Sequence, residues 1–133
     1  MIDGKHYISK TKEYYSFLIS EFNLNLIDEK IIGNAFYDIR YGDKVHVISI
    51  SYENIESYFQ VIIFNLQNGK MPNYEDKSQT IHLSTLNTAI ISRINSNEIL
   101  LNNNIFSEFL ANNEIERKLL KAAKELRLCL KHV

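Results

Sequence analysis

Residues 35–66 read AFYDIRYGDKVHVISISYENIESYFQVIIFNL, and this stretch decides the fold. Apolar and polar residues alternate along residues 35–41 and again along residues 45–52, which is the period of a half-buried strand. Gly42 and Asp43 stand between the two runs, and glycine next to aspartate is typical of a tight hairpin turn. The stretch therefore predicts an antiparallel β-meander.

Two neighbouring segments extend the predicted meander. Residues 58–66 are apolar on both faces, which is typical of a central or doubly covered strand. A buried helix over residues 55–66 is the alternative, because short apolar runs do not distinguish the two. Residues 24–32 are also ambiguous, and we favour a strand because the Gly33-Asn34 pair that follows is good turn chemistry.

Helical patterns flank the meander. Ser9 or Thr11 can cap a first helix that runs to about Phe22. Its apolar stripe comprises Tyr15, Leu18, Ile19 and Phe22. After a predicted loop over residues 67–80, residues 83–94 indicate a short helix capped at Ser84 or Thr85, and residues 105–110 indicate a further helical turn.

The last helix has the clearest pattern. Asn112 or Asn113 can cap it, and Glu114 and Glu116 favour its N-terminal dipole. Its predicted buried stripe comprises Ile115, Leu119, Ala122, Ala123, Leu126 and Leu130. We therefore predict a single α+β domain over residues 1–133. Its antiparallel β-meander of three to four strands is flanked by an N-terminal helix and C-terminal helices.

Composition describes an ordinary globular chain. The 133 residues carry a net charge of -1, with only 4 Gly and 1 Pro, which leaves little room for linkers. The single cysteine, Cys129, fits a reducing compartment. The N-terminal residues lack the apolar run of a signal peptide, and no stretch approaches the ~20 apolar residues of a membrane span. We expect a cytoplasmic protein.

The sequence contains no recognisable catalytic or metal-binding motif. The four histidines do not lie at metal-ligand spacing, and zinc sites need convergent Cys and His. His46, in the middle of a predicted strand, is best explained as a cross-strand partner of Asp38 or Tyr37. Cys129 fits a small buried hydrophobe beside Leu126 and Leu130. We expect no catalytic residues, no metal and no cofactor.

Charged residues separate along the chain. The last helix is rich in Lys and Arg, with Arg117, Lys121, Lys124 and Lys131 on one face, and a solvated surface explains them more simply than phosphate binding. Acidic residues collect at turns and in the long loop, accompanied by tyrosines. Tyrosine anchors with acidic neighbours suit recognition of a basic protein. The predicted partner-binding residues are Asp38, Tyr41, Asp43, Glu53, Glu56, Tyr74, Glu75 and Asp76.

The chain resembles the small immunity proteins of bacterial contact-dependent growth inhibition and polymorphic toxin systems. The resemblance covers the whole length: a leading helix (KTKEYYSFLISEF), the meander from NAFYDIRY to QVIIFNL, and a closing helix (NEIERKLLKAAKELRLCLK). It implies a non-enzymatic protein that binds a cognate toxin, typically a basic nuclease domain. The alternatives are a small enzyme or ligand-binding domain, or a nucleic-acid-binding module that uses the last helix.

Overall fold

A five-stranded antiparallel meander, in the order β1-β2-β3-β4-β5, forms the centre of the protein. The computed structural model describes residues 2–73 and 75–133. Its elements are α1 (Gly4–Tyr14), α2 (Phe17–Ser20), β1 (Asn25–Ile32), β2 (Phe36–Gly42), β3 (His46–Glu53), β4 (Tyr58–Asn65), β5 (Thr80–His82), α3 (Leu83–Ile90), a 3-10 turn (Ile91–Arg93), α4 (Ser96–Ile105) and α5 (Glu114–Leu130). The predicted α+β class is confirmed.

The sheet confirms the predicted meander and adds a strand to it. Residues 24–32 and 58–66 do contain strands, β1 and β4, so the helix considered for residues 55–66 is wrong. The prediction of three to four strands missed β5, because three residues are too few to show a period. Gly42 is required at the β2–β3 turn, since a Cβ there would lie 2.5 Å from the carbonyl oxygen of His46.

One face of the sheet packs against the helices, and the main core lies between them. Tyr37, Ile39 and Tyr41 alternate onto the covered face, where Tyr52, Ile50 and Ile48 of β3 stand opposite them. These residues form a single core with the buried sides of α1 and α5. The opposite face carries a separate buried cluster of Val47, Ile62 and Phe64, and Leu66 is the partly buried hydrophobic residue that packs against it in the described part of the chain. We call this second surface the open face.

The first helix begins earlier than the sequence indicated. Asp3 caps α1, and its carboxylate accepts a hydrogen bond from the backbone N–H of His6 at 3.3 Å. Thr11, predicted as a possible cap, lies inside the helix and donates its hydroxyl to the carbonyl of Tyr7 at 2.7 Å. The chain breaks after Tyr14 into the short α2, and Ile19 of the predicted stripe is 49% exposed.

The C-terminal half contains one helix that the sequence missed and one accurate helix. Residues 83–93 form α3 and the 3-10 turn, close to the predicted 83–94 helix. The missed helix is α4, which Asn95 caps, because its side-chain oxygen accepts the N–H of Asn97 and of Glu98. The helical turn predicted over residues 105–110 is wrong, since α4 ends at Ile105. Asn113 caps α5 as predicted, because the Asn113 side-chain oxygen accepts the N–H of Glu116 at 2.9 Å. Leu119, Ala123 and Leu126 of the predicted stripe are fully buried.

Cys129 is 1% exposed and joins the main core, as expected for a structural residue. Burial, with a smaller effect from Glu125, raises the pKa of its thiol to about 11. At neutral pH almost none of it is the reactive thiolate.

We predict that Cys129→Ala lowers the free energy of unfolding by about 1 kcal/mol, the usual effect of a small core truncation, and leaves partner binding unchanged. Urea unfolding and a binding assay test this. A thiol reagent should label folded wild-type protein far more slowly than urea-unfolded protein. Equal labelling rates in both states would contradict the buried assignment.

Candidate partner-binding surface

The turn between β3 and β4 places exposed apolar side chains next to carboxylates. Ile32, Phe36, Glu53 and Tyr58 follow one another across four strands of the open face, each in register with the next. Ile55 and Glu56 lie in the turn itself. We call these six residues the turn patch. Ile32 is 54% exposed, Ile55 75% and Tyr58 49%. Apolar anchors beside charged residues are typical of protein interfaces.

Two helix N-termini add acidic residues to the same end of the molecule. A depression of about 640 Å³ has Asp3 from the start of α1, Glu114 from the first turn of α5 and Ser57 from the β3–β4 turn among its lining residues. Together with Glu53 and Glu56, Asp3 and Glu114 give that end of the molecule four carboxylates, of which Glu114 is paired with Lys118 at 3.6 Å. Such a concentration attracts a basic partner and speeds its encounter.

Asn54 fixes the β3–β4 turn to the rest of the fold. Its side-chain Nδ2 shares two N–H groups among three acceptors, the carbonyl of Asn34 at 2.7 Å, the Tyr37 hydroxyl at 2.8 Å and the carbonyl of Ile2 at 3.2 Å. Its backbone N–H donates to the carbonyl of Ala35 at 2.9 Å. The turn patch is therefore held in place before any partner binds, which lowers the entropic cost of binding.

A buried carboxylate joins the two helix N-termini behind this surface. Glu116 is 2% exposed; it contacts the His6 ring at 2.9 Å and accepts the side-chain amide of Asn113 at 2.6 Å. The hydrogen bond with His6 is the main cause that holds the pKa of Glu116 below its ordinary value. Burial opposes this shift, and the hydrogen bond from the Asn112 N–H supports it. The sequence suggested only a helix-dipole role for Glu116.

Two of the predicted partner-binding residues are buried. Asp38 is 3% exposed in the middle of β2, where its carboxylate accepts the Ser49 hydroxyl at 2.6 Å and the Arg40 Nε–H at 2.8 Å. Tyr41 is 1% exposed beneath the helices, and burial raises its pKa to about 12. Neither side chain is presented to a partner, because alternation along β2 directs one into the polar centre of the open face and the other into the core.

The other predicted acidic residues do not form one surface. Asp43, Glu75 and Asp76 lie near the end of the sheet where β2 and β4 finish, whereas Glu53 and Glu56 lie at the opposite end. An eight-residue strand separates the two ends by about 26 Å. Tyr74 lies outside the described residues. The structure therefore divides the predicted acidic residues into two groups at opposite ends of the sheet, and Glu53 and Glu56 are the pair at the β3–β4 turn.

Backbone contacts explain the position of Asp43. Its side chain accepts the N–H groups of Val45 and His46, both at 2.8 Å. Burial works against its ionised form, but these bonds hold the pKa of Asp43 below its ordinary value. His46 is paired with Asn65 of β4 and lies next to Asp43. The expected cross-strand contact of His46 with Asp38 or Tyr37 is wrong, since Ser51 and Tyr52 stand opposite those residues.

Sequence reasoning missed Asp3, Glu114 and Ile55 as parts of this surface. An aspartate just before a helical segment is a capping signal, so Asp3 was detectable. The contact between the N-termini of α1 and α5 could not be detected from the sequence, because 110 residues separate His6 from Glu116.

Comparisons with protein-family models, with curated proteins and with solved structures find no match for this chain. Within residues 2–73 and 75–133, no group of three or more His, Cys, Asp and Glu side chains could hold a metal ion. No helix in the same part of the chain is both long and apolar enough to cross a membrane.

We predict that Glu116→Gln weakens the fold in a pH-dependent way. A lowered pKa in the folded state means that the carboxylate stabilises the fold above its ordinary pKa of 4.5. That contribution is lost as the pH falls through the folded-state pKa. At pH 7 the substitution should cost about 1.5–3 kcal/mol of unfolding free energy, as a buried hydrogen bond to a charged group does.

Urea unfolding of both proteins between pH 3 and 8 measures this effect, and the difference should shrink in the acid range below the ordinary pKa. The control is Glu98→Gln, since Glu98 also pairs with a histidine, His132, but at the surface. That variant should differ little from wild type at any pH. A Glu116→Gln effect that stays constant with pH would contradict the ionic role.

Proposed function

We propose that this chain is an immunity protein that binds one cognate toxin domain and blocks it without carrying out chemistry. The turn patch is the observation that supports this most. It combines exposed aliphatic and aromatic side chains with carboxylates, and its strand residues lie on the sheet face opposite the main helix-packed core. The whole-chain resemblance to bacterial immunity proteins suggests the kind of partner.

The two kinds of side chain in the patch have different roles in this proposal. Ile55 and Tyr58 supply area that a partner can bury, so they stabilise the complex and slow its dissociation. Glu53 and Glu56, with Asp3 and Glu114 beside them, attract a basic surface from a distance and speed association. A nuclease toxin has such a surface in its substrate groove. Covering that groove would exclude the nucleic acid.

We predict that Glu53→Lys with Glu56→Lys lowers the association rate by about tenfold or more at low salt and flattens its salt dependence. The probe is the toxin domain that co-purifies with this chain from its native cell, and rates are measured by stopped-flow or biolayer interferometry; absence of any stoichiometric protein partner would contradict the proposal. Co-expression of both proteins in growing cells gives a second readout, in which the double variant should protect less well than wild type.

Glu75→Lys with Glu108→Lys is the matched control, since it makes the same change in net charge at exposed positions outside the turn patch. It should leave association nearly unchanged, as should reversal of Lys121 and Lys124. Thermal melts check that every variant folds. If the control variants abolish protection while the Glu53 and Glu56 variant protects normally, the toxin-binding surface lies elsewhere.

A further inference from the structure

A second concave site lies between α3, α4 and α5. Its volume is about 550 Å³. Arg117, Lys121 and Lys124 of α5 line one wall. These residues are spaced i, i+4 and i+7, so they share one helix face and span about 10 Å along its axis.

These three cations differ from other basic residues of the same helix. Lys118 has a carboxylate partner in Glu114 at 3.6 Å, and Arg127 has one in Glu21 at 2.6 Å. Among the described residues, Arg117, Lys121 and Lys124 form no such ion pair. Glu125 is the acidic side chain in the lining, and burial raises its pKa while Lys121 opposes that shift. The cavity therefore has a net positive charge.

The rest of the lining is apolar or carries amides. Leu120 and Leu128 are buried at its floor, and Ile91 stands 36% exposed at its side. Asn102 stiffens the wall, because its amide donates to the Lys124 carbonyl at 2.9 Å and accepts from Arg127 at 2.8 Å. Asn103 also lines the cavity. This is the usual composition of a ligand site, with an apolar floor and a few polar groups that fix orientation.

We propose that this cavity binds an organic di- or triphosphate of nucleotide size. Three cations along about 10 Å match several linked phosphates better than one carboxylate, which a single Arg or Lys would satisfy. The organic part of the ligand lies against Ile91, Leu120 and Leu128. A volume within roughly 300–1,000 Å³ is the range of small-molecule sites. The site is independent of the turn patch and of the proposed toxin binding.

Isothermal titration with ADP, with pyrophosphate and with a 12-nucleotide single strand tests the proposal on the full chain. ADP should bind, and Lys121→Glu with Lys124→Glu should raise its Kd by about tenfold or more, because two charge-assisted contacts are lost. Lys44→Glu with Lys77→Glu is the matched control: it makes the same charge change at exposed lysines outside the cavity and should alter the Kd by less than about twofold.

Asn103→Trp tests whether ADP binding depends on the shape of the cavity or only on its positive charge. It keeps all three cations and fills the cavity, so it should weaken ADP binding more than pyrophosphate binding. Circular dichroism confirms that each variant is folded. Failure of wild type to bind ADP, or equal loss in the Lys44 and Lys77 control, would overturn the proposal. Binding of the single strand without ADP would also overturn it and would make this face a nucleic-acid surface.

Discussion

Four buried tyrosines fix the position of the helices relative to the sheet and to the neighbouring segments of the chain. Each uses its ring to fill the core and its hydroxyl to reach a backbone carbonyl on another part of the chain. The bonds run from Tyr7 to Ile50, from Tyr14 to Leu110, from Tyr15 to Leu119 and from Tyr37 to Ile2, at 2.7–3.0 Å. A sliding helix would leave these polar atoms buried without partners, which costs more than the bonds contribute. The helical layer therefore has one position.

That single position explains where the proposed surfaces lie. α1, α3 and α5 occupy the same face of the sheet, so the residues on the other face are left to pack against one another. Asp38, Ser49 and Arg40 satisfy each other at its centre, and the Arg40 guanidinium lies 5.9 Å from the centre of the Phe64 ring. Polar groups that are already paired make a poor anchor. Exposed Ile32, Ile55 and Tyr58 lie instead at the edge of that face, beside Glu53 and Glu56 at the β3–β4 turn.

Local structure could be predicted from the sequence, but contacts between segments that are far apart in the chain could not. Alternation along residues 35–41 and 45–52 predicted the meander, and the Asn113 cap marked the start of α5. The same alternation places Asp38 within the sheet, but charge alone suggested a surface role. α4 was missed because an asparagine such as Asn95 can follow the end of one helix as well as cap the start of the next. The contact of His6 with Glu116 depends on the packing of α1 against α5, which no local pattern records.

The central claim is that a protein partner binds at the turn patch on the open face. Amide hydrogen exchange of the chain, alone and saturated with the protein partner that co-purifies with it, tests it most directly, because exchange reports each segment separately. The account predicts slower exchange in the complex at residues 53–59 and 32–36, with α5 and residues 67–80 nearly unchanged. Protection confined to α5, or to residues 67–80, with the β3–β4 turn exchanging as in the free protein, would contradict it.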